Sequence, residues 1–323
     1  MPKNKHYECY PKDFNSAESY YCAFQAIPKG TNSLSLFGIQ LGLLAEDVAL
    51  DLFNNLSPEI RELSLAKNGF GDQPVAHLQR ILSNRRSIVG LDISWNNLGN
   101  HNGRDLSTAL AGLSCLNELN LGWNELCLME TQDLALFLAQ LNDSINKVIL
   151  AGNNLSKKSG SELATIISSI KSAKILDLSE NDLGSLIEID LDQAFAAIGS
   201  NVQFLIFRGN NIGTHTRNNL GTVLSKLPQN IIALDLQANN LPFIPLENLS
   251  KFKNSAPFIK EIYLSKEELE RMPTESWMAT KNIFPNLERI YLIDNAQKIT
   301  TLNFRKRIEI LEKDSNYSIS LSR

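Results

Sequence analysis

Apolar residues in this chain fall into short strict alternations separated by stretches with three-and-four spacing, and the two modes alternate at a fixed period. Ile60 begins IRELSLAKNGFG, Ile88 IVGLDISWNNLG, Leu116 LNELNLGWNEL, Ile145 INKVILAGNNL, Ala173 AKILDLSENDLG, Val202 VQFLIFRGNNIG and Ile231 IIALDLQANNL. All fit LxxLxLxxNxL, with other aliphatics or Phe replacing several leucines. The asparagines stand at 68, 96, 124, 153, 181, 210 and 239, so successive copies are 28 or 29 residues apart. Template positions 4 and 6 lie two apart and point to one face of a strand. The asparagine follows where the chain leaves that strand, and its amide can donate and accept to backbone groups that the bend exposes. Beyond it, segments such as Gln73–Ser83, Arg104–Leu113, Gln132–Leu141 and Ser161–Ile170 repeat their apolar residues at helical spacing. Each period therefore predicts strand, turn, helix, turn.

Degenerate copies continue the period at both ends. Thr31 begins TNSLSLFGIQLG with Ile39 at the asparagine position, Ile259 begins IKEIYLSKEEL with Glu267 there, and Leu287 begins LERIYLIDNAQ, which keeps Asn295 but ends on Gln297. That makes about ten repeats, with atypical ends as a stacked array requires. The pattern resembles the leucine-rich repeat proteins, and its period is similar to that of their ribonuclease-inhibitor-like subclass, over residues 31–297. The resemblance implies an α/β solenoid, a horseshoe with a parallel sheet on its concave face and helices on its convex face. Simple packing agrees, because parallel strands sit about 4.8 Å apart whereas helices need roughly 8 to 10 Å. Residues 1–30, rich in aromatics, are expected as an N-terminal cap. Residues 298–323 are expected as a capping helix with Phe304, Ile308 and Leu311 on one face, followed by a polar tail.

The same template assigns side chains to the exposed strand face. Trp95 and Trp123 both occupy position 8, one repeat apart, and are predicted to stack about 5 Å from one another. Asp92, Glu118, Asn120 and Glu125 surround them in the pattern, giving an apolar centre with an acidic rim. Further along, Ile149, Ile175, Phe204, Ile206 and Ile232 fall on solvent positions, with Asp177, Glu180 and Arg208 beside them, and Tyr263 and Tyr291 share position 5. Two readings remain open for these groups. The indoles either form a protein contact surface or lid the asparagine turns, and the tyrosines either bind or pack the end of the array. Acidic residues at position 5 (Asp92, Asp177, Asp235) also serve solubility alone in repeats of this kind.

Composition changes the picture mainly by exclusion. A net charge of -4 offers no polyanion-seeking excess, which argues against nucleic acid as the main partner. No apolar run reaches membrane-spanning length, and the polar start lacks a signal-peptide core, so a soluble protein that begins in a cytoplasm is expected. Cysteines 9, 22, 115 and 127 lack metal or redox spacing and read as small buried thiols, with a bridge between Cys9 and Cys22 as the alternative. Serine-hydrolase, phosphate-loop, dinucleotide and HExxH motifs are all missing. LSPEI at Leu56, which superficially resembles the start of an F-box, falls by the period between a helix and the next strand. The expectation is a monomeric recognition protein with no catalysis, cofactor or metal, gripping a protein partner. The rival is an adaptor that recruits a target to a host modifying enzyme such as a ubiquitin ligase. The C-terminal Glu309, Glu312 and Asp314, followed by small polar residues and Leu321, are similar to the export signals of type IV secretion effectors in Legionella-like bacteria, although a plain acidic tail has the same composition. That resemblance implies delivery into a host cell and a host protein as partner.

Overall fold

The structure, a computed structural model, describes residues 5–9, 14, 16–214, 224–250 and 255–303. It divides into two compact units, Met1–Asn153 with Ser169–Ala173, and Asn154–Ser168 with Lys174–Arg323.

In the first unit six short strands, β1 (His6–Glu8), β2 (Ser33–Ser35), β3 (Glu62–Ser64), β4 (Gly90–Asp92), β5 (Glu118–Asn120) and β6 (Lys147–Ile149), pair in chain order and in parallel. The central residues of β2 to β6, Leu34, Leu63, Leu91, Leu119 and Val148, are buried, as are Leu36, Leu65, Ile93, Leu121 and Leu150 two residues on. These are template positions 4 and 6. The helices α2 (Glu46–Asn54), α3 (Val75–Leu82), α4 (Gly103–Leu110) and α5 (Thr131–Ala139) close the core from the other side. Their apolar stripes supply the burial: Leu78, Ile81 and Leu82 in α3, Leu106, Ala109 and Leu110 in α4. The Asn102 side chain caps α4 by accepting from the Asp105 N–H at 2.9 Å.

The asparagines form the ladder that their amide chemistry suggested. Asn124 Oδ1 accepts from the backbone N–H of Asn96 at 2.8 Å and of Leu98 at 3.3 Å, while its Nδ2 donates to the Ile93 and Leu121 carbonyls, both at 3.0 Å. Asn96 serves Asn68 in the same way at 2.8 Å, and Asn153 serves Asn124 at 2.9 Å. Gly99, just past the ladder, donates to the Asn124 carbonyl at 2.8 Å, and a Cβ there would collide with the Glu125 backbone. Glycine is required at that close approach between coils.

The N-terminal segment adds β1 and the helix α1 (Ala17–Gln25), with a capping box on Ser16. Tyr20 and Phe24 are buried, the Tyr20 hydroxyl donates to the Ile39 carbonyl, and the Phe24 ring lies 5.8 Å from Phe53 of α2. The four cysteines are free. Cys9 and Cys127 are buried, but Cys22 and Cys115 are exposed, so neither the bridge nor burial of every thiol is found.

In the second unit β7 (Ile175–Asp177), β8 (Phe204–Ile206), β9 (Ala233–Asp235), β10 (Glu261–Ser265) and β11 (Arg289–Ile293) pair in parallel. The ladder recurs with Asn210 Oδ1 accepting from Asn181 N–H at 3.1 Å and Asn239 Oδ1 accepting from Asn210 N–H at 3.0 Å. Helices α6 (Gly160–Ser168) and α7 (Glu188–Ala196) pack side by side. The last repeats depart from the template. After β10 a helix starts at once at Lys266, so Glu267 at the asparagine position is helical. After β11 the chain turns back as a hairpin into β12 (Ile299–Asn303), which pairs antiparallel with β11. Asp294 Oδ1 shapes that turn by accepting from the N–H groups of Ala296 at 3.0 Å and Lys298 at 2.8 Å, and Gln297 is left-handed (φ 60). Of the C-terminal segment, the described part is therefore strand. The capping helix built on Phe304, Ile308 and Leu311, and the tail after it, lie outside the described residues.

Candidate functional site

Position 8 of the template is a left-handed residue. Gly38, Gly152 and Gly209 take it with φ 67 to 68, but Lys67 (φ 59), Trp95 (φ 59), Trp123 (φ 56), Glu180 (φ 55) and Ala238 (φ 52) take it too. A side chain in this conformation costs roughly 1 to 2 kcal/mol relative to glycine. Each coil still bonds to the next through it: Trp95 N–H donates to the Gly122 carbonyl at 3.0 Å and Trp123 N–H to Ala151 at 2.8 Å. The turn lifts the side chain off the sheet, and the two indoles stack with centroids 4.5 Å apart and planes 7° from parallel. They remain 49% and 40% exposed. The Trp123 ring spreads over Gly152, where any Cβ would overlap it. In the same turn series Lys67 reaches the Phe37 ring, with its Nζ 5.8 Å from the centroid.

Asp92, Asn120 and Ile149 are cross-strand neighbours on β4, β5 and β6. Asp92 and Asn120, expected in the rim around the indoles, also hold the backbone of their own strands. Asp92 Oδ1 accepts from the Ser94 N–H at 3.0 Å and Asn120 Oδ1 from the Gly122 N–H at 2.9 Å, so position 5 fastens the backbone two residues on. Glu118 is tied to Lys147 at 2.6 Å. Glu125 sits exposed and left-handed (φ 55) in the turn beyond Trp123. Ile149 is half-buried.

The second unit carries its own aromatic column. Phe204 and Tyr263 stack at 5.1 Å and 26°, and Tyr263 and Tyr291 at 4.5 Å and 19°. Phe204 belongs to β8 and Tyr263 to β10, so the first stack spans β9 and its Asp235. Asp235 pairs in register with Ile206 on one side and Tyr263 on the other and is only 7% exposed. Burial pushes its carboxyl up to about 6. The opposing effects are smaller: hydrogen bonds from the Gln237 N–H at 3.0 Å and Nε2 at 2.9 Å, and the charge of Arg208. Asp177 fastens the Ser179 N–H at 2.9 Å in the same way. Ile175, Phe204, Ile206 and Arg208 are half-buried, whereas Ile232 is exposed.

Sequence reasoning missed two features. The left-handed turn at position 8 was legible in the glycines that recur there. The placement of Glu62 and Glu118 on either side of Gly90, at one level of β3, β4 and β5, had no such signal. Among the described residues no group of three or more His, Cys, Asp or Glu could hold a metal ion, and no helix is long and apolar enough to cross a membrane.

Repeated strand–turn–helix coils, parallel strand pairing and the asparagine ladder define a leucine-rich repeat solenoid of the α/β class, and the chain is a protein of that class. Among solved structures it is similar to the leucine-rich repeat-containing protein LegL7 from Legionella pneumophila. The identity is 26%, over 97% of this chain and 99% of that one, with a TM-score of 0.81. More distant likenesses are to the yeast Rad7 and Elc1 complex (15% identity, 80% and 75% of the two chains, TM-score 0.38). The TLR13–ssRNA13 complex is likewise distant (18% identity, 81% and 36% of the two chains, TM-score 0.44). No protein-family model matches the chain, and no curated protein matches it closely in sequence.

Proposed function

We propose that this protein acts by binding, without catalysis, and that its strand face holds a protein partner through the stacked Trp95 and Trp123. One observation carries the reading. Two large aromatic side chains occupy a left-handed position that glycine fills in three other repeats, yet about half of each indole stays in contact with solvent. A ring that served the fold alone would be covered. A ring kept exposed against a backbone cost is what a contact surface needs, because Trp offers much apolar area for little entropy loss. The Phe204–Tyr263–Tyr291 column, with Ile206, Arg208 and Asp177 beside it, supplies a second contact area on the other unit, and Ile149 extends the first. The protein works as a monomer toward a host protein after delivery by a type IV secretion system. The likeness to LegL7 over nearly the full length and the acidic C-terminal segment support that setting.

Replacing both Trp95 and Trp123 with Ala is expected to weaken partner binding at least about thirtyfold, roughly 2 kcal/mol. The urea-unfolding free energy should move by no more than about 1 kcal/mol. Affinity capture and crosslinking from a eukaryotic cell lysate, with the double variant as control, reads the first quantity. Capture unchanged alongside a large stability loss supports the lid reading instead. For delivery, a reporter fused ahead of the full chain should reach the host cytosol from a bacterium with an intact secretion system, and removal of residues 298–323 should stop it. Continued delivery of the truncated fusion rules out an export signal there.

A further inference from the structure

The strand face of the first unit holds a depression of about 230 Å³ whose lining includes His6, Ser35, Glu62, Gly90, Asp92 and Glu118. Glu62, Gly90 and Glu118 stand side by side at one register level of β3, β4 and β5. With no side chain on Gly90, the Glu62 carboxylate leans into the vacant space, and a Cβ on Gly90 would overlap it. The Glu62 backbone N–H donates to the Asn32 carbonyl at 3.0 Å, but among the described residues its carboxylate has no hydrogen-bond or ion-pair partner. Burial first, and the charge of Glu118 across the glycine second, push its carboxyl above the usual carboxylate range. Glu118 does have a cation, but Lys147 stands on its far side, on β6. Asp92 adds a third carboxylate two residues along β4.

Like charges placed at one level of a sheet repel, and the fold offers Glu62 nothing in return. An incoming cation relieves that repulsion. Resting on the protein-recognition reading above, we propose that this depression receives a basic segment of the partner protein, with one arginine guanidinium seated over Gly90 between Glu62 and Glu118. The planar fork of a guanidinium can donate to both carboxylates at once, which an ammonium does less well. From Gly90 to Trp95 the chain advances five residues, at most about 16 Å even at full strand rise, and β4 already ends at Asp92. An extended segment of about five residues therefore reaches both the carboxylates and the indoles.

A fluorescein-labelled oligoarginine peptide tests the proposal by fluorescence anisotropy on the full chain, with oligolysine of equal length as the second probe. Oligoarginine should bind more tightly than oligolysine, and added salt should weaken it. Glu62→Gln combined with Glu118→Gln should weaken it about tenfold or more. Glu18→Gln with Glu130→Gln, an equal charge change at exposed helix-start positions of the same unit, should leave it within about twofold. Gly90→Ala, which crowds the seat while keeping the charge, should also weaken it, and this arm stands if the double glutamine variant fails to fold. The proposal is overturned if the Glu62 and Glu118 variant binds no worse than the control pair, if Gly90→Ala binds like the parent, or if oligolysine matches oligoarginine. Binding lost in the glutamate variant but intact in the Trp95 and Trp123 double variant leaves the arginine seat standing and removes the indole anchor.

Discussion

Asn124→Ala is expected to lower the unfolding free energy by at least about 4 kcal/mol. The Asn124 side chain is fully buried and satisfies four backbone groups: the N–H of Asn96 and Leu98, and the carbonyls of Ile93 and Leu121. Alanine removes all four bonds and fills none of the space. An orphaned buried donor or acceptor costs about 1 to 3 kcal/mol, and water has no route to these groups while neighbouring coils remain stacked. Because Asn68, Asn96 and Asn124 each donate their backbone N–H to the side-chain oxygen of the next ladder asparagine, the loss also loosens the step between two coils. Asn295 is the internal control. It stands at the same template position but is exposed, and its own N–H goes to Glu267 rather than to a ladder asparagine. Asn295→Ala should cost no more than about 0.5 kcal/mol. Urea denaturation of the two variants, with amide exchange at Asn96 and Leu98, measures the difference. Equal costs at the two positions would mean that the period, and not the amide, holds the coils together.

That contrast shows how far the residue pattern reaches. The alternation at positions 4 and 6 depends only on which side chains face the core, so β2 through β11 could be anticipated from the sequence. The role of position 9 followed from amide chemistry. The stacking of Trp95 on Trp123 followed from the period, since side chains at one template position of adjacent coils must be neighbours. Other features depend on pairs that the template does not link. Glu62 leans over Gly90 because a residue 28 positions later has no side chain, and nothing near Glu62 in sequence announces that. The three residues of β1, His6–Glu8, have no apolar alternation; they are a strand because β2 presents them an edge. The hairpin to β12 arises from one carboxylate, Asp294, accepting two N–H groups, which no template position encodes. The acids at position 5 looked like surface charges and are in part backbone fasteners.

Asp235 is where a fastener and the candidate surface conflict, and it yields the second large effect. Asp92 and Asp177 make the same bond to position 7 from half-buried sites, whereas Asp235 is buried between its register partners Ile206 and Tyr263, on the strand that the Phe204 and Tyr263 stack spans. Its folded-state pKa of about 6 lies above the ordinary aspartate value of 3.8. The group's stabilising contribution is therefore complete below the unfolded pKa and is lost as pH rises through the folded one. At neutral pH the buried charge costs about 3 kcal/mol by linkage. Asparagine keeps the acceptor for the Gln237 N–H and can donate to the Gln237 side-chain oxygen, but it carries no charge to desolvate. Asp235→Asn should therefore raise unfolding stability by about 3 kcal/mol at pH 7. The gain should shrink steadily between about pH 6 and pH 4 and vanish below that. Urea unfolding of parent and variant across that range gives the curve, and a difference that does not change with pH would place the charge in water. Should the gain appear as described, the aromatic column spans a carboxylate that the fold holds at a cost. Comparing partner affinity of the two proteins at pH 7 then reads directly whether the charge beside those rings is kept for binding.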